Sequence, residues 1–189
     1  MCDLVKDRYN LRVVYAKNSS DLKKVHARPI FDLLNQCYAG LYGFSQLDEK
    51  QIDKYIDDYI SFADASIIPL IYNEKDELVA CGIMIPSLAK ALVRCRGKLF
   101  PFGWWHLVKN LYIKNDDTVE FLLIGIRPDY QSKGLNSLLV TSIHPVLKRK
   151  GYVQAETNCN LVDNSKILNF WSHMPNILHK KRRAYIMDI

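Results

Sequence analysis

The passage best suited to chemistry is Ile124-Gly-Ile-Arg-Pro-Asp-Tyr-Gln-Ser-Lys-Gly-Leu-Asn-Ser-Leu-Leu139. An apolar strand ends at Pro128, which has no N–H to give to a ladder. A short polar turn comes next, and a helix begins near Lys133-Gly134. Backbone amides of Gln131, Ser132, Lys133 and Gly134 at a helix N-terminus would bind phosphate through orphan donors and the helix dipole. Gly134 lets a ligand approach the backbone, and Lys133 adds positive charge. Two carboxylates lie on strands beside this turn, Glu120 and Glu156. Each is either a candidate general base or a strand-end group paired with Arg or Lys. His144, His173 and His179 are scattered and read as structural or solvated, so no metal site is expected.

The elements that must position these residues can be read from hydrophobic period. Leu11–Ala16 reads as a first strand. Asn18-Ser-Ser-Asp21 offers cap chemistry to a helix with apolar positions from Leu22 to Tyr38, which Pro29 kinks or restarts. A second helix opens at Leu47-Asp-Glu49. Ile67–Tyr72 and Leu78–Ile85 form a hairpin around Asn73–Asp76. Two helical pieces come after it, Leu88–Val93 and Trp104–Tyr112. Thr118–Ile126 is the central strand, Ser132–Lys150 an amphipathic helix, Tyr152–Thr157 a strand and Asp163–Met174 a helix. Arg183–Ile189 reads as a closing strand. The order β-α-α-β-β-(helical insert)-β-α-β-α-β predicts an α/β (α+β) domain, a mixed sheet with helices on both faces.

The 124–139 passage resembles the strand–turn–helix motif of the GNAT acyl-CoA N-acyltransferases, roughly V-x-P-x-Y-[QR]-x-x-G-x-[GA]. Here it reads Ile126-Arg-Pro-Asp-Tyr-Gln-Ser-Lys-Gly-Leu-Asn136. The element order matches over about 150 residues, including Glu156-Thr-Asn158 and Asn164–Trp171. The resemblance implies a mostly antiparallel central sheet flanked by helices, with a helical insert before the central strand, in one domain spanning 1–189. It implies acetyl-CoA or another acyl-CoA as cofactor. The residues that would hold it are Ile124 and Ile126 on the strand, Gln131, Ser132, Lys133, Gly134, Leu135 and Asn136 in the turn, and Asn164. Glu120 or Glu156 would take the proton of a small-molecule amine. Two positions depart from the pattern. Asn136 replaces the last small residue. Trp171, seven residues after Asn164, stands where the family often has a tyrosine that protonates the leaving thiolate, and an indole N–H is no such acid. Arg8–Arg12, Leu99–Trp105 and His179–Arg183 are similar to the C-terminal half of longer bacterial GNAT-like proteins of unassigned substrate. A non-catalytic GNAT-like module, pairing as a homodimer or with a second GNAT-like lobe, is the alternative.

Composition narrows the setting. The chain has 189 residues, 49% of them hydrophobic and 24% charged, with net charge +6. That suits a globular core and excludes a disordered or fibrous chain. No apolar run approaches the ~20 residues of a membrane span, so no membrane partner is expected. Five unpaired-looking cysteines and no leader pattern fit the cytoplasm. The charge excess falls in 87–115, where Lys90, Arg94, Arg96, Lys98, Lys109 and Lys114 meet no acid. This insert reads as a lid, a subunit contact or a core extension. The basic run at 179–183 carries no nucleic-acid motif, and no nucleic-acid partner is expected.

Overall fold

The computed structural model describes residues 2–60, 63–113, 116–183, 185 and 187. Two compact units appear, 1–156 and 157–189. The first contains a sheet in the order β1-β2-β3-β4-β5. Its strands are β1 (Arg12–Val14), β2 (Leu70–Tyr72), β3 (Leu78–Pro86), β4 (Thr118–Ile126) and β5 (Gln154–Thr157). Each of the first three adjacent pairs is antiparallel. The mixed, mostly antiparallel sheet flanked by helices is therefore present. β5 sets out beside the start of β4: the amides of Val153 and Gln154 both donate to the Asp117 carbonyl, at 2.8 and 3.1 Å.

Two apolar layers hold the sheet. On one side lie α3 (Ala27–Tyr38) and α4 (Glu49–Tyr59), which bury Ile30, Leu33, Leu34 and Ile52 against Leu70 and Cys81. On the other lie α1 (Cys2–Tyr9) and α7 (Leu135–Arg149), with Leu135, Leu138 and Leu139 against Ile71, Val79 and Ile126. The alternation of β4 side chains makes this possible. Leu123 packs toward the first layer and Ile124 and Ile126 toward the second. Burial of each such side chain contributes about 1.5–3 kcal/mol.

Several boundaries differ from those read in the sequence, each for a local reason. β1 is cut to Arg12–Val14. β2 begins at Leu70 because Ala65–Ile67 forms a 3₁₀ turn capped by Asp64, and Pro69 cannot extend the ladder. The first helix runs as α2 (Ser19–Asp21), a π turn (Leu22–His26) and α3. Pro29 lies just past the point where the π turn passes into α3, so its missing N–H falls at that change of helical pitch. α7 starts at Leu135, not Ser132, because Gly134 is left-handed. The insert forms α5 (Ala89–Arg94), α6 (Gly103–Val108) and a π turn (Lys109–Ile113). α8 (Ser165–Ser172) belongs to the second unit. The expected closing strand is absent at Arg183, Tyr185 and Met187, while Ala184, Ile186, Asp188 and Ile189 lie outside the described residues. α1 was not read from the sequence.

A half-buried ion pair ties the end of α7 to the turn before β2. Lys150 Nζ lies 2.8 Å from Asp64 Oδ2, and Ser66 donates to Asp64 Oδ1 from its amide and its hydroxyl. Burial alone would raise the Asp64 pKa. The bonds from Lys150 and Ser66 outweigh it and hold the pKa below the ordinary value. A depressed carboxylate stabilises the fold above its unfolded pKa, about 3.9, and loses that contribution as pH falls through the folded value. Asp64→Asn should therefore lower the melting temperature at pH 7, by an amount that shrinks as pH falls below the ordinary carboxylate range. Thermal unfolding across that range checks this.

Candidate functional site

The site is best built outward from β4. Arg127 donates its amide to the Val79 carbonyl at 2.9 Å. In an antiparallel ladder, bonded residues alternate. Arg127, Gly125 and Leu123 therefore face β3 with their backbone groups, opposite Val79, Cys81 and Ile83. Ile124 and Ile126 turn their N–H and C=O groups the other way. A register shift between Ile83 and Met84 leaves Leu122 as an extra residue of β4. Such a bulge bends a strand and re-aims the residues beyond it.

Two side chains occupy the outward carbonyls. Tyr38 at the end of α3 donates its hydroxyl to the Ile124 carbonyl at 3.1 Å. Gln131 Nε2 donates to the Ile126 carbonyl at 3.4 Å. Burial pushes the Tyr38 pKa up to about 12, so the phenol stays a neutral donor. Burial likewise raises the neighbouring Cys37 thiol to about 11. No spacing in the sequence points to Tyr38, which is 86 positions from its acceptor.

Beyond β4 the chain makes a 3₁₀ turn, Pro128–Tyr130, and then reverses through two left-handed residues, Ser132 (φ 61°) and Gly134 (φ 84°). Gly134 is the N-cap of α7, and no side chain caps that end. The first-turn amides of a 15-residue helix thus receive no bond from an N-cap side chain. The environment of Gly134 is narrow. A Cβ there would lie 3.2 Å from Val5 Cγ2 of α1. The Lys133 ammonium sits over the rings of Tyr9 and Tyr130, at 5.1 and 4.8 Å. Arg127 lies over the Tyr130 ring at 4.9 Å and is held by Asp129 and Glu77. The hydrogen bond with Asp129, then that with Glu77, keeps the Arg127 pKa raised. Tyr130 packs within the turn, and its hydroxyl accepts from Asn73 at 3.3 Å.

The remaining expected residues divide by role. Leu135 is a core side chain, 1% exposed, so only its backbone can face a ligand. Ile124 and Ile126 are also core-facing and offer backbone groups alone. Asn136 is partly buried in the first turn of α7. Glu120 pairs in register with Ile85 and accepts a 2.7 Å bond from the Ser87 hydroxyl, so its described partner is neither Arg nor Lys. Glu156 lies on β5, next to β4 in the sheet order. In the second unit, Asn164 caps α8, accepting from the Ile167 amide at 3.4 Å. The Trp171 ring lies 4.9 Å from that of Phe170. A separate cleft of about 230 Å³, lined by Asp32, Gln36, Glu77 and Arg127 among others, holds none of the expected site residues.

Comparison with solved structures supports the fold. The GCN5-related N-acetyltransferase from Sphaerobacter thermophilus superposes on 86% of the chain and 42% of its own, with TM-score 0.55 and 10% identity. The chain has the GNAT fold. Among curated proteins, a bacterial ceramide synthase from Caulobacter vibrioides is 21% identical over 82% of the chain and 41% of the relative. Protein YghO of Escherichia coli K12 is 20% identical over the whole chain and 48% of the relative. The chain thus spans less than half the length of the curated relatives it matches. No family model matches it.

Two substitutions test the GNAT-fold geometry. Gly134→Ala forces an L residue into a left-handed conformation against Val5 and should cost about 1–2 kcal/mol. Tyr38→Phe removes one buried hydrogen bond and should cost about 1 kcal/mol. Denaturant melts would measure both losses.

Proposed function

We propose that this GNAT-fold chain is an acyl-CoA-dependent N-acyltransferase domain, using acetyl-CoA or a longer acyl-CoA on an amine. The observation that carries the reading is the path from β4 to α7 through the left-handed Ser132 and Gly134, with Gly134 as an N-cap that has no side chain. Backbone amides of the turn and of the first turn of α7 would hold the pyrophosphate. Outward groups of Ile124 and Ile126 would hold the pantetheine arm. Acyl-CoA, when bound, supplies an activated thioester. The chain's own task is to orient an amine and accept its proton. Glu120, fixed by Ser87, is one candidate base, and Glu156 is the other. A ceramide is an N-acylated amino alcohol, so the name of the Caulobacter relative is consistent with amide formation.

Tyr38 and Gln131 have a consequence for this reading, because they cover the carbonyls that an arm along β4 would use. Tyr38→Phe should tighten acyl-CoA binding several-fold by removing one competing donor. Calorimetry with acetyl-CoA and a long-chain acyl-CoA is the direct measurement. Dissociation constants in the micromolar range support the proposal, and no heat with either at millimolar concentration rejects it. Glu120→Gln should lower turnover at least tenfold if Glu120 is the base, with binding unchanged.

A second reading has its own observation. Trp171 occupies the position, seven residues after the α8 cap Asn164, where a proton donor would be expected. A non-catalytic module would bind acyl-CoA without turnover over a broad panel of amines. Measurable transfer by the purified chain would exclude that reading.

A further inference from the structure

The insert between β3 and β4 presents an unusual surface. Its roots are fixed. Ser87 and Ala91 are buried, and Asn110 donates to the Ser87 carbonyl at 2.7 Å. Lys90 bonds Asp116 and Asp117 at 2.6 and 2.7 Å. Between α5 and α6 the chain is pinned by Gly103, where a Cβ would run into the Lys98 carbonyl. The rest projects outward. Phe100 is 83% exposed, Phe102 74%, and Leu99, Trp104 and Trp105 are each nearly half exposed. The two indoles meet edge to face at 6.1 Å. An apolar cluster this exposed marks an interaction surface.

The charges around the cluster say what it meets. Arg94, Arg96 and Lys98 are exposed on the same segment. None of the three forms an ion pair among the described residues, unlike Lys90. From Leu78 to Asn115 the sequence has no Asp or Glu. Protein interfaces also take Trp, Phe and Arg, but they set such cations against a partner's acids. Aromatic side chains beside unpaired basic groups are instead what the headgroup layer of an anionic bilayer accepts. Indole and phenyl rings sit at the acyl boundary, while each Lys or Arg gains from the surface potential.

We propose that the tip of the insert, residues 92–105, docks the protein on an anionic lipid surface. Phe100, Phe102, Trp104 and Trp105 enter the interface, and Arg94, Arg96 and Lys98 meet lipid phosphates. Docking of this kind needs no spanning segment. Among the described residues no helix is long and apolar enough to cross a membrane. The proposal thus departs from the expectation drawn from the missing span, and it is independent of acyl transfer.

Vesicle co-sedimentation of the full chain tests it, with phosphatidylcholine alone and with phosphatidylcholine containing phosphatidylserine. The expected result is binding to the anionic vesicles that weakens as salt rises, with a blue shift of tryptophan emission. Replacing Arg94, Arg96 and Lys98 together by Ala should weaken it on the order of a hundredfold, at about fivefold per charge. Phe100→Ser/Trp104→Ser should abolish the blue shift. Phe100→Ser alone, at a position that is mostly solvent, serves if the double variant melts early. No co-sedimentation at millimolar anionic lipid overturns the proposal. So does binding indifferent to both sets of substitutions. Self-association abolished by the aromatic substitutions, without lipid binding, would assign the surface to a second copy instead.

Discussion

The hydrogen-bond register between β3 and β4 governs which atoms this protein can offer to a ligand. With Arg127 bonded to Val79, every second residue of β4 is committed to the sheet. Ile124 and Ile126 are then left with outward-facing backbone groups and inward-facing side chains. A slip of one residue would exchange those roles and put the core side chains in the wrong layer. The same register carries the chain to Pro128 in the orientation from which the turn and α7 depart. The start of α7 and the outward-facing backbone groups of β4 are therefore two products of one ladder.

That edge is already occupied by the protein itself. Tyr38 comes from the far end of α3 and Gln131 from the turn, and both reach carbonyls of β4. Meanwhile α1 closes over the turn from the other side, with Val5 against Gly134 and Tyr9 against the Lys133 ammonium. A ligand along β4 must compete with neutral hydrogen bonds rather than with ion pairs. Exchange of that kind is cheap, because each partner is worth about 1 kcal/mol net. Lys133 is different. Its charge is held by two aromatic faces.

Much of this was legible in the chain where local chemistry and tertiary packing agree. β3, β4 and α7 carry strong periodic patterns, and the turn between β4 and α7 is marked by Pro128 and Gly134. The capping box of Asp48 and Gln51 sets the start of α4. What escaped has few local signals. α1 is charged at half of its positions and packs through Val5 and Tyr9. The shortening of β2 depends on how Asp64 and Pro69 share a corner. The role of Tyr38 rests on a contact between residues far apart in sequence. Glu120 was readable as a strand carboxylate, but its Ser87 partner depends on the β3–β4 pairing.

Gly103 gives the insert an uneven tolerance for change. A side chain at Gly103 would meet the Lys98 carbonyl and Gly97 is left-handed, while most other residues from Leu92 to Trp105 are exposed. Sequence drift in the tip can therefore alter its polarity, bulk and charge without rebuilding the scaffold, provided the two glycines are kept. The insert behaves as an adjustable fitting on a fixed mount, able to diversify faster than the sheet that carries it.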